Sequence, residues 1–472
     1  MMRLLQTLYN FIYEKPDYEI LTVDEKTYTY SDIQKNIDKW KLVLERCGIK
    51  KRYKVVVYIK DIMDFVGIYF ALCELDCIMI PIDISTNPDV ITNVLSSSNA
   101  HAVISSQDLV LNDIKERIPI LLEYTCYCTG KRDIDTTEDI MQMLYTSGTT
   151  GLPKCVMYSK ANMTNNIIVL GETLGLSEKD VIYTPISLML PAALNTVLVP
   201  ALLFGTRIFV SRSTIPGKVL SNVISQKVTV FFAVPFYYKL IADSELCTEN
   251  TWSNVRLCLT SSAYLSEEDF LSFYKKSGHG LHSIYCSSEA GTIAYNDATD
   301  IASLRKYVGR PLYGCEVSLI NKNREGDGEI VVKGDMISSK YYRNEKLNNK
   351  VFYDGWIKTG DFGAINETGY LEIKGRLTET INIAGHLVNP LEVEQVSMKN
   401  EAVEDAVAFK YHNYADNDML GVKVVMKQGH SLQERDIIKC CETALPNYKV
   451  PKKVIFVSSI DTGRYGKKKR SV

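Results

Sequence analysis

From Thr27 to Ser106 the apolar positions alternate between two spacings. In TYTYSDIQKNIDKWKLVLERCG (27–48) they recur at helical intervals, which predicts an amphipathic helix stopping at Gly48. KVVVYI (54–59) is a short β-branched run, DFVGIYFALCELDC (64–77) is helical, and IMIPID (78–83) reads as a second strand. VITNVLSSSNA (90–100) then predicts a helix and HAVIS (101–105) a third strand. Helices between wholly apolar strands predict a parallel, doubly wound sheet, because crossover helices cover both of its faces. The alternation returns after residue 160 through RIFVS (207–211), TVFFAV (229–234), VRLCLTS (255–261) and LHSIYC (281–286).

The texture changes between residues 314 and 374. CEVSLI (315–320), GEIVVKG (328–334) and GYLEIKG (369–375) are short alternating runs with Gly and Asn turns, which predicts a small antiparallel or β-barrel-like unit. After GRL (375–377) comes a compact α+β tail with its own strands, DAVAFK (405–410), VKVVMK (422–427) and KVIFV (453–457). The expected division is an N-terminal domain over 1–376, a hinge at 377–378 and a C-terminal lid domain over 379–472. No internal repeat is visible.

The stretch ISLMLPAALNTVLVPALLFG (186–205) carries no charge and approaches the span of a bilayer, about 20 residues. Pro191, Asn195, Thr196 and Pro200 interrupt it, so it is expected to be a helix buried between layers rather than a membrane span.

Composition narrows the functional classes. A chain of 472 residues is too long for one core and predicts two or three domains. A formal net charge of -2 gives no reason to expect a nucleic-acid partner. The 12 cysteines are scattered without paired CxxC clusters, which argues against a zinc ribbon or a disulfide framework and for a reduced, cytoplasmic protein. The start lacks an apolar core followed by a small-residue cleavage site, so no secretion signal is read. The six histidines form no HExxH-type metal motif, and His279 and His282, in a Gly-bounded turn, are expected to be structural.

The segment richest in chemistry is YTSGTTGLPKCVM (145–157). Ser147 through Gly151 supply hydroxyls, small side chains and freely turning glycines. Backbone N–H groups in such a loop can close around phosphate oxygens, and Lys154 adds a positive charge. It is not a Walker A loop, which wants Gly directly before the lysine and Ser or Thr after it; here Pro153 and Cys155 stand there.

With this segment the chain resembles the adenylate-forming superfamily: acyl-CoA synthetases, peptide-synthetase adenylation domains and luciferases. Further motifs follow in order. YCSSEAG (285–291) resembles its YGxTE segment, and GWIKTGD (355–361) its TGD segment. GRLTETINIAGHLVNPLEVE (375–394) resembles the hinge and the segment after it. PNYKVPKKVIFV with TGRYGKKKR resembles the end that carries a catalytic lysine. The resemblance runs from about Tyr28 to Arg470.

It implies a reaction in which a carboxylate attacks the α-phosphate of ATP and expels pyrophosphate, so two anions must meet and positive charge must offset their repulsion. By motif, Thr146, Ser147, Gly148, Thr149, Thr150, Gly151 and Lys154 would hold the β- and γ-phosphates. Glu289 would bind Mg²⁺, a hard cation that prefers carboxylate oxygen. Ser288 would touch the α-phosphate, and Tyr285 would lie against adenine. Asp361 would accept from the ribose hydroxyls with Arg376 beside it. Lys467 would bridge carboxylate and α-phosphate, Thr378 falls at the hinge where the family has Asp or Lys, and Gly385 would face the site after rotation.

Departures from the pattern bear on the acid. Amino-acid-activating relatives place an Asp where this chain has Leu190 to Ala193, so an α-amino acid is disfavoured. Met189 stands where many acyl and aryl relatives have His. Cys286 replaces a Gly, and Ser261 and Ser262, next to Ala263, replace small residues, which would narrow an acyl pocket. The expected substrate is a small, uncharged carboxylic acid. The expected acceptor is a thiol of CoA or of a separate phosphopantetheinyl carrier protein, with no nucleic-acid or membrane partner. Alternatives are delivery of acyl-AMP to an amine, or a nucleotide-binding homologue that has lost catalysis.

Overall fold

The computed structural model describes residues 3–121, 123–136, 139–146, 154–338, 340–377, 379–383, 386–412 and 418–461. They form two compact units, 1–317 with 332–357, and 318–331 with the chain from 358 onward.

The larger unit contains two sheets. The parallel strands of the first are Ile140–Thr146, Ile78–Pro81, Lys54–Tyr58 and Ala102–Ser105, in that spatial order. Lys154–Ser159 and then Lys340–Tyr341 add antiparallel on one side, and Tyr124–Cys128 with Glu116–Ile120 on the other. Every residue of Lys54–Tyr58, Ile78–Pro81 and Ala102–Ser105 is buried, as the continuous apolar runs predict for strands covered on both faces.

The second sheet has parallel Leu281–Ser287, Leu257–Ser261, Val230–Ala233, Val181–Tyr183, Arg207–Val210 and Glu19–Val23. Gly291–Tyr295 and Lys26–Thr29 add antiparallel next to its two flanks. The predicted helix is Tyr30–Arg46, opened by a capping box between Thr29 and Asp32. One apolar core joins Val55, Val57 and Met79 of the first sheet to Ile182, Ile208 and Phe232 of the second.

The uncharged stretch folds as the short α-turn Pro191–Ala193, the π-turn Leu194–Leu198 and the helix Val199–Phe204, closed by left-handed Gly205. Its apolar side chains lie in that core. Among the described residues no helix is long and apolar enough to cross a membrane.

In the smaller unit Leu371–Arg376 pairs antiparallel with Trp356–Ile365 through a turn in which Asn366 Oδ1 accepts from the backbone N–H groups of Thr368 and Tyr370. The division falls within the strand Trp356–Ile365, so that 358–376 group with the tail. Farther on, Val403–His412 pairs antiparallel with Asp418–Met426, and Lys453–Phe456 joins the latter in parallel. Helices Pro390–Met398 and Glu434–Ala444 bury Val393, Val396, Ile437 and Cys441. The class is α/β, with a large N-terminal sheet unit and a small C-terminal α+β unit.

One charged side chain lies deep in the first sheet. Lys54 is 1% exposed, and its Nζ donates to Asp135 Oδ1 at 2.6 Å and to the Tyr342 hydroxyl at 2.8 Å. Asp135 Oδ2 accepts from Tyr342 at 2.5 Å, Arg343 at 2.8 Å and Asn99 at 3.0 Å. Burial pushes the Asp135 carboxyl up, but donation from Lys54, Tyr342 and Asn99 outweighs it and holds the group at about 2. Its folded value is depressed, so its contribution to stability is present above about pH 4 and is lost as pH falls towards 2. Asp135→Ala leaves the Lys54 ammonium buried without its counter-charge and is expected to cost about 3–5 kcal/mol. Denaturant unfolding at pH 7 measures that loss, and the variant's stability should fall less steeply than the parent's between pH 4 and pH 2.

Candidate active site

Lys154 opens the strand Lys154–Ser159 and is the register partner of Thr146, the last residue of Ile140–Thr146. The two residues flank the predicted phosphate loop. Ser147, Gly148, Thr149, Thr150 and Gly151 lie outside the described residues, as does the side chain of Thr146.

Two tyrosines connect this strand to the turn that follows Leu281–Ser287. Tyr158 is buried and its hydroxyl donates to the Ser288 carbonyl at 2.8 Å. Burial, and then the charge of Glu289, push the Tyr158 phenol well above its ordinary range, so it remains a donor at any physiological pH. Tyr341 is opposite Val156 in the ladder, and its hydroxyl donates to Glu289 Oε1 at 2.5 Å. Ser338 N–H donates to the Glu289 carbonyl at 3.1 Å, so one short segment holds both the backbone and the carboxylate of Glu289.

The turn itself is tight. Ala290 N–H donates to Ser287 Oγ at 3.0 Å, and Gly291 has φ +65° with the space for a Cβ only 2.5 Å from Asn166 Nδ2. A glycine is needed there on both counts. Ser288 is exposed, Glu289 half-buried, and Tyr285 buried on the strand before them.

A divalent cation suits this donor set. Glu289 Oε2 accepts nothing from the described residues, which leaves one carboxylate oxygen for a hard ion. Among the described residues no three acidic, histidine or cysteine side chains gather to hold a metal by themselves. Mg²⁺ commonly takes one or two protein carboxylates and completes its shell with substrate phosphates and water.

Of the predicted acyl-pocket residues, Cys286 is brought to Ser261, Sγ to Oγ at 3.2 Å, across neighbouring parallel strands. Ser262 follows in a left-handed conformation, φ +73°, and it and Ala263 are exposed. Met189 is 5% exposed and packs in the apolar core. His279 and His282 bond main-chain carbonyls, the former those of Ser277 and Val255 and the latter that of Asn296, each at 2.8 Å.

In the smaller unit Asp361 and Arg376 are register partners, and Arg376 Nε donates to Asp361 Oδ1 at 2.7 Å. Asp361 is 5% exposed. Its N–H donates to Thr359 Oγ1 at 3.1 Å, and that hydroxyl donates to the Ile330 carbonyl at 2.8 Å. Gly360, φ +73°, makes the bend. Thr378, Gly385 and Lys467 lie outside the described residues.

Sequence reasoning missed Tyr158 and Tyr341. Tyr341 is 52 positions from Glu289, and no spacing rule links them; the available hint is that a buried tyrosine hydroxyl needs a polar partner.

The sequence profile of AMP-binding enzymes matches residues 9–342, and that of the AMP-binding enzyme C-terminal domain matches 392–467. A probable CoA ligase of Humulus lupulus is 27% identical over 348 residues, 71% of this chain and 65% of that protein, so the match spans just under two thirds of its length. A long-chain-fatty-acid–CoA ligase of Mycobacterium tuberculosis is 25% identical over 471 residues, 93% of this chain and 91% of that one. Among solved structures, ATP-bound MatB from Rhodopseudomonas palustris superposes with a TM-score of 0.85 at 20% identity, covering 98% of this chain and 97% of that one. That last likeness speaks for the fold.

Proposed function

The chain belongs to the AMP-binding enzyme family, and from that premise we propose that it activates a small, uncharged carboxylic acid with ATP and passes the acyl group to a thiol. In the first step a carboxylate oxygen bonds to the α-phosphorus of ATP while the bond from that phosphorus to the bridging oxygen of pyrophosphate breaks. Acyl-AMP remains and pyrophosphate leaves. In the second, the thiol loses its proton to solvent, its sulfur bonds to the acyl carbon, and AMP departs with the electron pair. CoA is the acceptor favoured by the CoA ligases among the relatives; a phosphopantetheinyl carrier protein presents the same thiol.

The observation that carries the proposal is the continuous construction from Lys154 through Tyr341 to Glu289 in the larger unit. The ladder fixes the strand that begins with a cation, and the tyrosine fixes a carboxylate against that same strand. A cation and a metal-binding carboxylate held on one frame are what a triphosphate needs. Mg²⁺, when bound at Glu289, would neutralise phosphate charge as the α-phosphorus is attacked. Ser288 is exposed at the same turn, where its hydroxyl can donate to an α-phosphate oxygen. Tyr285 supplies an aromatic surface for adenine. Asp361, a buried carboxylate held by Arg376, is suited to accept from two ribose hydroxyls.

The Ser261–Cys286 contact supports a compact acid. It sets side-chain bulk where relatives have glycine or another small residue. No carboxylate lies within Leu190 to Ala193, so a substrate ammonium would be buried there without a counter-charge.

Acid-dependent pyrophosphate release from Mg·ATP tests the proposal, with short aliphatic, aryl, α-amino and long-chain acids, first without CoA and then with it. Release driven by a small uncharged acid and increased by CoA is the expected result. Preference for an α-amino or long-chain acid would overturn the substrate assignment. Binding of ATP without release for any acid would overturn the activity.

A further inference from the structure

We infer that Tyr341 is a positioning residue for Glu289: its hydroxyl fixes Oε1 and so aims Oε2 at the cation. The inference rests on Glu289 being the metal carboxylate. Metal-ligating carboxylates are generally oriented by a hydrogen bond from behind, and loss of that partner weakens metal binding.

The location of Tyr341 is over-determined. Its backbone pairs with Val156 on the strand that begins at Lys154. On the other side, the side-chain amide of Asn348, from helix Glu345–Val351, bonds both of its main-chain groups. Tyr341 N–H donates to Asn348 Oδ1 at 2.8 Å, and Asn348 Nδ2 donates to the Tyr341 carbonyl at 3.0 Å. The amide thus completes the ladder where the two-residue strand has no further neighbour among the described residues. The ring is 3% exposed and meets Phe352 edge to face, with centroids 5.9 Å apart. With backbone and ring both fixed, the hydroxyl has little freedom, and it points at the Glu289 carboxylate at 2.5 Å. Ser338, three residues earlier, secures the Glu289 main chain.

This arrangement differs from a generic buried tyrosine, whose hydroxyl needs only some acceptor. A carboxylate oxygen is a strong one, and a charge-assisted bond to it holds the second oxygen in a set direction. A half-buried glutamate without such a bond would sample several rotamers. The phenol narrows these to one before any cation arrives, and preorganisation of that kind appears as affinity.

The test compares wild type, Tyr341→Phe and Glu289→Gln. Phenylalanine keeps the ring packing and both backbone bonds to Asn348, so the variant should melt with the parent. The readout is calorimetric binding of a non-hydrolysable ATP analogue, in EDTA and in excess Mg²⁺, and the ratio of the two affinities. Tyr341→Phe should lower the Mg²⁺ enhancement by about 10-fold and leave metal-free binding unchanged. A parallel rise in the free Mg²⁺ needed for half-maximal pyrophosphate release is expected. An equal fall in both affinities would overturn the inference, because general loosening acts on both. Wild-type enhancement in Tyr341→Phe with a reduced enhancement in Glu289→Gln would overturn it as well. Wild-type enhancement in Glu289→Gln itself would instead remove Glu289 as the metal carboxylate.

Discussion

Lys467→Ala is expected to slow acyl-AMP formation by about 10²–10³-fold and to leave thioester formation from supplied acyl-AMP close to the parent rate. The first half-reaction brings a carboxylate against a phosphate, so a cation that touches both lowers a barrier made largely of charge repulsion. The second half-reaction starts from acyl-AMP, in which that bond already exists. A lysine whose task is to bridge the two anions has nothing to bridge there. Pyrophosphate exchange reads the first step, and AMP release from synthetic acyl-AMP plus thiol reads the second. Lys468 and Lys469 stand beside Lys467 in GKKK and serve as controls. Their alanine variants should retain both rates if they are solvated surface residues. Equal loss of the two half-reactions in Lys467→Ala would defeat the assignment and point to a role in folding or in thiol entry.

The parallel strands were legible because burial on both faces writes them as continuous apolar runs. KVVVYI, IMIPID and HAVIS each contain an observed strand. Helix Tyr30–Arg46 was equally plain, since Ile33, Ile37, Trp40 and Leu44 form one buried stripe. The partnering of strands was not legible. Glu19–Val23 sits beside Arg207–Val210, with Leu21 opposite Ile208, and nothing local in either segment marks the other. The helix Arg3–Glu14 also went unassigned, although Leu4, Leu5 and Leu8 carry the buried face. The π-turn at Leu194–Leu198 had only Pro200 as a sign, a residue with no N–H for the Thr196 carbonyl.

The same distinction runs through the site. The candidate phosphate loop is conspicuous in the sequence because backbone-led anion binding would demand glycines and hydroxyls in a row. Glu289 and Asp361 are proposed from the short motifs around them. The residues that hold them differ in this respect. Arg376, beside Asp361, lies in the hinge motif, whereas Tyr341 contacts Glu289 only through the pairing of Lys340–Tyr341 with Lys154–Ser159. A side chain that acts by way of a long-range ladder leaves no local spacing to read.

Glu289→Gln should reduce acyl-AMP formation by about 10²–10³-fold, or roughly 3–4 kcal/mol of transition-state stabilisation. Glutamine is the informative replacement because its amide oxygen can still accept from Tyr341, and the Ser338 contact involves the main chain. The turn therefore keeps its shape, and what is lost is one negative charge and one strong oxygen ligand for a hard cation. ATP should bind at least as well without metal, since the lost charge is of the same sign as the phosphates and its removal relieves repulsion. The deficit in ATP binding should appear only with Mg²⁺, and the deficit in rate should grow as free Mg²⁺ is lowered. Single-turnover pyrophosphate release at several Mg²⁺ concentrations separates these effects. A variant with the parent rate at low Mg²⁺ would assign Glu289 to the architecture of the turn alone and move the metal to the phosphate loop. A loss that Mg²⁺ partly restores would place the ion on the Glu289 carboxylate.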